Sequence, residues 1–257
     1  MPASTLRIAA VADVHYGRHS AGAMRAVFER ASEEADVLLL CGDLTDYGKP
    51  EEAELLAADL REHVGVPVLA VWGNHDFETD QIEDVQAVLE NAGVEVLDGD
   101  CTEVRGVGFA GVRGFGGGFG RWALSPWGER PIKAFVQEAV DEELKLDAAL
   151  SRLGTRHRVV LLHYAPVRAT VVGEPEEIFP FLGSSRLEEP LNRYDATVAF
   201  HGHAHAGSPE GRTSAGVPVY NVSLPVLRRA YPDRPPFRLF EIDLAEAVGQ
   251  AEPAAQQ

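Results

Sequence analysis

The sequence predicts a layered α/β domain built on a mainly parallel sheet. In the first third of the chain, apolar runs of strand length alternate with segments of helical period, a βαβαβα series. The second run, Asp36-Val37-Leu38-Leu39-Leu40-Cys41, is almost continuously apolar, as a strand covered on both faces must be. The chain has 257 residues, 45% of them hydrophobic and 25% charged, which is enough to bury the core such a domain needs.

Taken in order, residues 6–12 form the first strand. Met24, Val27, Phe28, Ala31 and Ala35 then share one helical face, with Ser20 as the expected N-cap. Residues 36–41 are the second strand, and Ala53, Leu56, Leu60 and Val64 stripe the helix after it. Residues 67–72 are the third, followed by a helix lined by Ile82, Val85, Leu89 and Ala92. Past Ala92 the runs at 94–97, 102–105 and 107–110 are short and separated by Gly and Asp, which reads as antiparallel pairing. Residues 111–131 form a long loop holding Gly111, Gly114, Gly116, Gly117, Gly118, Gly120 and Gly128 among Phe115, Phe119, Trp122, Trp127, Arg113 and Arg121. A long helix is expected over 132–153, a weak one over 184–194 because Pro190 lies inside it, and strands at 158–162, 197–200, 217–222 and 237–242. No repeat or linker divides the chain, so residues 1–244 are expected to form one domain and 245–257 a flexible tail.

Composition narrows function. With 23 basic against 40 acidic residues the formal charge is −17, which repels a polyphosphate backbone and argues against long nucleic acid as a partner. Two cysteines, Cys41 and Cys101, cannot supply a disulfide framework or a thiolate zinc site. The start lacks a signal-peptide pattern and no segment approaches the roughly 20 apolar residues of a membrane span, so a cytoplasmic protein with no membrane partner is expected.

In α/β sheets, ligands gather beyond the carboxyl ends of the strands. There the sequence places Asp13-Val14-His15, Gly42-Asp43-Leu44-Thr45-Asp46, Gly73-Asn74-His75-Asp76, His163 and Gly202-His203-Ala204-His205. One Asp after a strand is usually a cap, and one His usually a satisfied core group. A succession of carboxylate and imidazole clusters at the same end of a sheet instead suits two metal ions sharing a carboxylate, and the donor set favours Mn, Fe or Zn over a soft metal.

These motifs, in this order, resemble the calcineurin-like metallophosphoesterase superfamily, whose pattern D-x-H, G-D-x-x-D, G-N-H-[DE], a later His and G-H-x-H is complete from Asp13 to His205. The resemblance implies a four-layer α/β/β/α sandwich with two mixed β-sheets. It implies two divalent or mixed-valence ions, one held by Asp13, His15 and His205, the other by Asn74, His163 and His203, with Asp43 bridging. It also implies that Asn74 and His75 contact substrate, that His75 acts on the phosphoryl group or leaving oxygen, that Asp76 orients the His75 imidazole, and that Asp46 shapes the loop carrying Asp43. The reaction expected is hydrolysis of a phosphoester by a hydroxide bridging the ions. The segments around His15, Asp43 and His75 look most like the bacterial small-phosphodiesterase branch with cyclic-nucleotide phosphodiesterase-like members, so a small soluble phosphodiester is the expected substrate. A phosphomonoester, a nucleotide pyrophosphate and a non-catalytic scaffold role stand as alternatives, and the oligomeric state is open.

The loop at 111–131 is a candidate lid, with Arg113 and Arg121 meeting phosphate and Trp122 and Trp127 stacking on a base; packing of the tryptophans onto the domain is the alternative. His19, His63 and His157 read as surface groups, Cys41 as a small buried hydrophobe, and His201 is left without a role.

Overall fold

A computed structural model of the chain describes residues 5–17, 20 and 22–245. His19 and all of the predicted tail except Ala245 lie outside the described residues.

The predicted alternation is present as β1 (Thr5–Val11), α1 (Arg25–Glu34), β2 (Val37–Cys41), α2 (Pro50–His63), β3 (Val68–Val71), α3 (Ile82–Asn91) and β4 (Val94–Val96). Strands β1 to β4 pair in parallel, each crossover being one helix, and β11 (Arg238–Asp243) closes the other edge antiparallel to β1. The second sheet orders β5 (Asp100–Val104), β6 (Val107–Gly111), β7 (Arg158–Leu161), β8 (Val198–His201), β10 (Pro218–Asn221) and β9 (Glu210–Arg212). Its outer pairs are antiparallel and its inner ones parallel, so both sheets are mixed.

Alternation along the central strands builds the layers. In β7, Val159 and Leu161 join the core shared with the first sheet, whereas Val160 and, just beyond, Leu162 face the cluster that includes Leu146 and Leu150 of α4 (Arg130–Ser151). Two sheets face to face with helices outside make the α/β/β/α sandwich. Each Leu or Val removed from water there contributes about 1.5–3 kcal/mol.

Local rules explain most boundaries. Helix α2 starts on Pro50, carries Glu51 and Glu52 in its first turn and Arg61 and His63 in its last, matching the helix dipole at both ends. Pro190 does not break its helix, because the chain makes a 3₁₀ turn at Ser185–Leu187 and restarts as α6 (Glu188–Arg193), where Pro190 occupies a first-turn position whose missing N–H has no helical partner to lose. Two expectations are corrected. Strand β4 is parallel to β3, not antiparallel, because α3 carries the chain back before it. Ser20 is not the cap of α1, which starts at Arg25; its hydroxyl accepts from the Gly17 amide and donates to the His15 carbonyl. The sequence pattern gives no sign of the short helices α5 (Phe179–Leu182) and α7 (Leu224–Ala230) or of edge strand β9.

One polar brace ties this frame to the loop after β1. The buried Asp59 of α2 accepts from the Tyr16 hydroxyl, the Gly22 amide and Arg25 Nε, each at 2.9 Å. Burial opposes its ionisation, but these bonds outweigh it and hold its carboxyl below the usual range. A group depressed in the folded state stabilises above its unfolded pKa, so this contribution is full at neutral pH and is lost as the pH falls below 3.8. Tyr16→Phe should lower the unfolding free energy by about 1.5–3 kcal/mol, the worth of a bond to a charged acceptor. Urea titration at neutral pH measures it, and an unchanged midpoint would remove the brace from the account.

Candidate metal centre

The two sheets end at the same edge and are joined there. The Ala12 amide donates to the Val222 carbonyl (2.9 Å) and the Val222 amide to the His201 carbonyl (2.7 Å), linking the ends of β1, β10 and β8. The loops after β1 and β2 run side by side, with Asp13 N–H to Gly42 O, His15 N–H to Asp43 O and Tyr16 N–H to Leu44 O, each at 3.0 Å. Gly202 N–H reaches the His163 carbonyl at 3.1 Å. Every predicted cluster is thereby brought to one place.

The backbone there is strained. Asp13, His15, Asp43 and His203 adopt φ values of 59°, 43°, 49° and 68°. Left-handed backbone costs a residue with a β-carbon about 1–2 kcal/mol, and it persists where the surroundings impose it. Glycine makes the close approaches: a β-carbon on Gly73 would lie 2.1 Å from the Asp43 amide nitrogen and Oδ1, and one on Gly202 would lie 2.4 Å from Asp13 Oδ2.

Donor atoms fall into overlapping groups, each within 4.8 Å: Asp13, His15 and His205; His15, Asp43 and His75; Asp43, His163 and His203. Asp43, buried, belongs to two of them, the position expected of a bridging carboxylate. Proton placement tests the fit. His163 Nδ1 faces the Cys41 carbonyl at 3.1 Å, which can only accept, so Nδ1 carries the hydrogen. Its Nε2 then turns a lone pair toward Asn74 Oδ1 at 3.1 Å and Asp43 Oδ1 at 3.4 Å, three acceptors facing one another as they do around a cation. His203 donates from Nε2 to the Phe181 carbonyl at 3.1 Å and keeps Nδ1 as its lone-pair atom. His15 Nδ1 is buried with no hydrogen-bond partner. The residues fit metal ions.

Electrostatics agrees. Burial, with His163 nearby, pushes His203 down to about 3, and burial lowers His15, so both imidazoles stay neutral as ligation requires. His205 is raised by its 2.9 Å bond to Asp13. Burial opposes the charge on Asp13, but the His205 bond and the neighbouring imidazoles hold its carboxyl low.

His75 and Asp76 separate in role, and one expectation is corrected. The His75 imidazole is oriented by the Asp46 carbonyl, at 2.8 Å from Nδ1, not by Asp76. Asp76, fully buried, instead accepts from the Thr45 amide and hydroxyl (2.9 and 2.7 Å) and the Gly73 amide (2.8 Å), pinning the loop after β2 to the loop after β3. Burial and the Asp43 charge push its carboxyl up to about 6, and a cation beside Asp43 would lower it again. Asp46 turns its carbonyl to His75, and its carboxylate, 42% exposed, lies 3.9 Å from His15 Nδ1. Sequence reasoning missed Thr45, which reads as an ordinary spacer, and Asn221, whose amide holds the Ala204 carbonyl at 2.8 Å between the two late histidines. His201 is a neutral core group that donates to the Gly202 carbonyl (2.8 Å) and meets the Thr170 hydroxyl, shaping the turn before His203. Cys41 is fully buried, as expected, and His63 pairs with Glu29.

Of the residues named for the candidate lid, Arg113 is committed within the fold and the tryptophans do not take the packed alternative. Arg113 is held by Glu138 and lies over the rings of Phe77 and Phe115, while Trp122 and Trp127 are 78% and 69% exposed and Arg121 stacks on Trp122. Neither tryptophan packs onto the domain core. It is Phe115 that this loop turns toward the site, beside Tyr164.

Residues 6–207 match the family model for calcineurin-like phosphoesterases. The chain belongs to that family. As a calcineurin-like phosphoesterase it is a hydrolase of phosphoesters, in a family that uses divalent metal ions. No curated protein matches the chain in sequence. Among solved structures it is similar to the phosphopantetheinyl hydrolase PptH from Mycobacterium tuberculosis, at 17% identity and a TM-score of 0.66, covering 91% of this chain and 95% of that one. It is also similar to TT1561 of Thermus thermophilus, at 16% identity and a TM-score of 0.52, covering 93% and 99%. At such identities the likeness is one of fold. No helix among the described residues is long and apolar enough to cross a membrane.

Because a β-carbon at residue 73 would collide with the Asp43 backbone and carboxylate, Gly73→Ala should lose metal while Gly65→Ala, where the nearest atom is 3.7 Å away, should not. Metal content after dialysis distinguishes them, and full metal retention in Gly73→Ala would refute the packing argument.

Proposed function

We propose that the protein hydrolyses a small phosphodiester at a dinuclear centre in which Asp13, His15 and His205 hold one cation, Asn74, His163 and His203 the other, and Asp43 bridges them. The observation that carries this reading is the chain of donor groups, in which Asp13, His15 and His205 share His15 with the group of His15, Asp43 and His75, and that group shares Asp43 with His163 and His203. Mn, Fe or Zn suits the imidazole and carboxylate donors. Bound there, two such ions supply a water of lowered pKa and positive charge for the phosphoryl oxygens.

The chain's own groups complete the arrangement. With Nδ1 fixed by Asp46, His75 presents Nε2 to the reacting group, its ring centroid 4.6 Å from that of His15. Burial opposes protonation of His75, but the Asp46 carbonyl and the charges of Asp43 and Glu78 outweigh it and raise its pKa, which suits donation of a proton to the leaving oxygen. The net charge of −17 surrounds this positive focus with an acidic exterior and favours a small ester over a long polyanion.

Asp43→Asn should abolish both metal binding and turnover, whereas His75→Ala should keep its metal and lose about 10²–10⁴ in kcat. Metal analysis and a panel of aryl diesters, cyclic nucleotides and monoesters with Mn²⁺ test this. A strong monoester preference would replace the diester reading, and loss of metal in His75→Ala would make that residue a ligand.

Acidification should separate the two positions. A cation among Asp13, His15 and His205 must displace the proton that Asp13 favours on His205, while His203 stays neutral down to about 3. As the pH falls from neutral the first position should therefore empty before the second. Metal stoichiometry along that fall checks the order, with His205→Ala as the control that removes the pH-sensitive position.

A further inference from the structure

Beside the metal centre lies a cavity of about 190 Å³ walled by Phe115, Phe135, Tyr164 and Phe181, which shares Asn74 and His203 with the centre itself. We propose that this cavity is the subsite for an aromatic ester group of the substrate, a claim that rests on the phosphodiesterase reading above. Among the described residues no carboxylate, ammonium or guanidinium group lines it, so the charged phosphoryl oxygens belong at the donor atoms and an uncharged part of the ester belongs here. Its volume is below the roughly 300 Å³ of a site for a whole ligand, which suits one ring system attached to a phosphate held next door.

The wall is built to present rings. Phe115 and Phe135 have centroids 4.9 Å apart, Phe115 and Tyr164 5.6 Å, Phe135 and Phe181 5.9 Å, and Tyr164 and His203 4.4 Å, all tilted or edge-on. A guest ring can add to such a set by the same edge-to-face and offset contacts. Gly116 allows the approach, since a β-carbon there would lie 2.5 Å from the Pro180 carbonyl and 3.0 Å from the Phe135 ring.

Phe181 stands at the mouth, 58% exposed, on a segment whose backbone is fixed. Gly117 N–H donates to the Pro180 carbonyl, Ala165 N–H to the Leu182 carbonyl and Ser184 N–H to the Ala165 carbonyl, and the Phe181 carbonyl accepts from His203. The fold holds an apolar ring in solvent next to a donor of the metal centre, and an aromatic ester group would cover it. Removing the Phe181 side chain leaves its carbonyl, and hence the His203 bond, in place.

The test compares benzylphosphonate with methylphosphonate as ligands of the intact Mn²⁺-loaded protein by calorimetry, so that leaving-group reactivity does not enter. Benzylphosphonate should bind about tenfold more tightly, the gain of one ring against two or three aromatic neighbours. Phe181→Ala, with its metal content measured alongside, should cut that preference severalfold, and Phe181→Trp should restore it. Equal affinities for the two phosphonates, or a preference that survives Phe181→Ala, would overturn the subsite. A benzyl preference in a protein that cleaves no phosphoester would uphold the subsite and sink the catalytic reading. Failure to bind either phosphonate would overturn both.

Discussion

Two carboxylates, Asp13 and Asp43, are buried at the ends of neighbouring parallel strands, and among the described residues neither has a lysine or arginine partner. Removing a carboxylate from water costs several kcal/mol unless the charge is met. Here the near neighbours are imidazoles and backbone amides, and a third buried carboxylate, Asp76, adds to the negative charge while serving as a hydrogen-bond hub. His205 and His75, both raised by these neighbours, answer part of that charge, and a cation bound among the donors would take the place of the His205 proton.

The arrangement begins with topology. Parallel strands deliver all their following loops to one edge, and the sandwich doubles the supply by setting two such edges against each other. The Ala12, Val222 and His201 backbone bonds fasten the edges together, so His163, His203 and His205 from the second sheet meet Asp13, His15, Asp43 and Asn74 from the first. Alternate burial along β7 holds the frame rigid, because each face of that strand is committed to a different core.

Sequence reasoning reached the crossover helices and the donor residues because their signals are local: an apolar run, a helical stripe, a polar cluster directly after a strand. Pairing direction was harder. The run at Val94–Val96 is as short as an antiparallel one, and only the helix before it makes it parallel. The partner of His75 could not be read either, since adjacent Asp76 is the obvious candidate in one dimension while the Asp46 carbonyl, on another loop, is near it in three. The glycine-rich segment stands out in composition, and its tryptophans, the largest rings, are its natural candidates for contact; the backbone instead turns Phe115 inward and leaves Trp122 and Trp127 in solvent. Composition marks a loop; which ring it buries depends on Pro180, Phe135 and other groups far along the chain.

The left-handed backbone at Asp13, His15, Asp43 and His203 bears on how such a chain can change over generations. Glycine or asparagine at those places would relieve local strain, so mutations there would tend to yield a sturdier fold with a weaker centre. A lineage released from catalysis could gain thermal robustness by that route, and one kept under selection for activity must hold its surplus stability elsewhere, in the double-faced core beneath the loops.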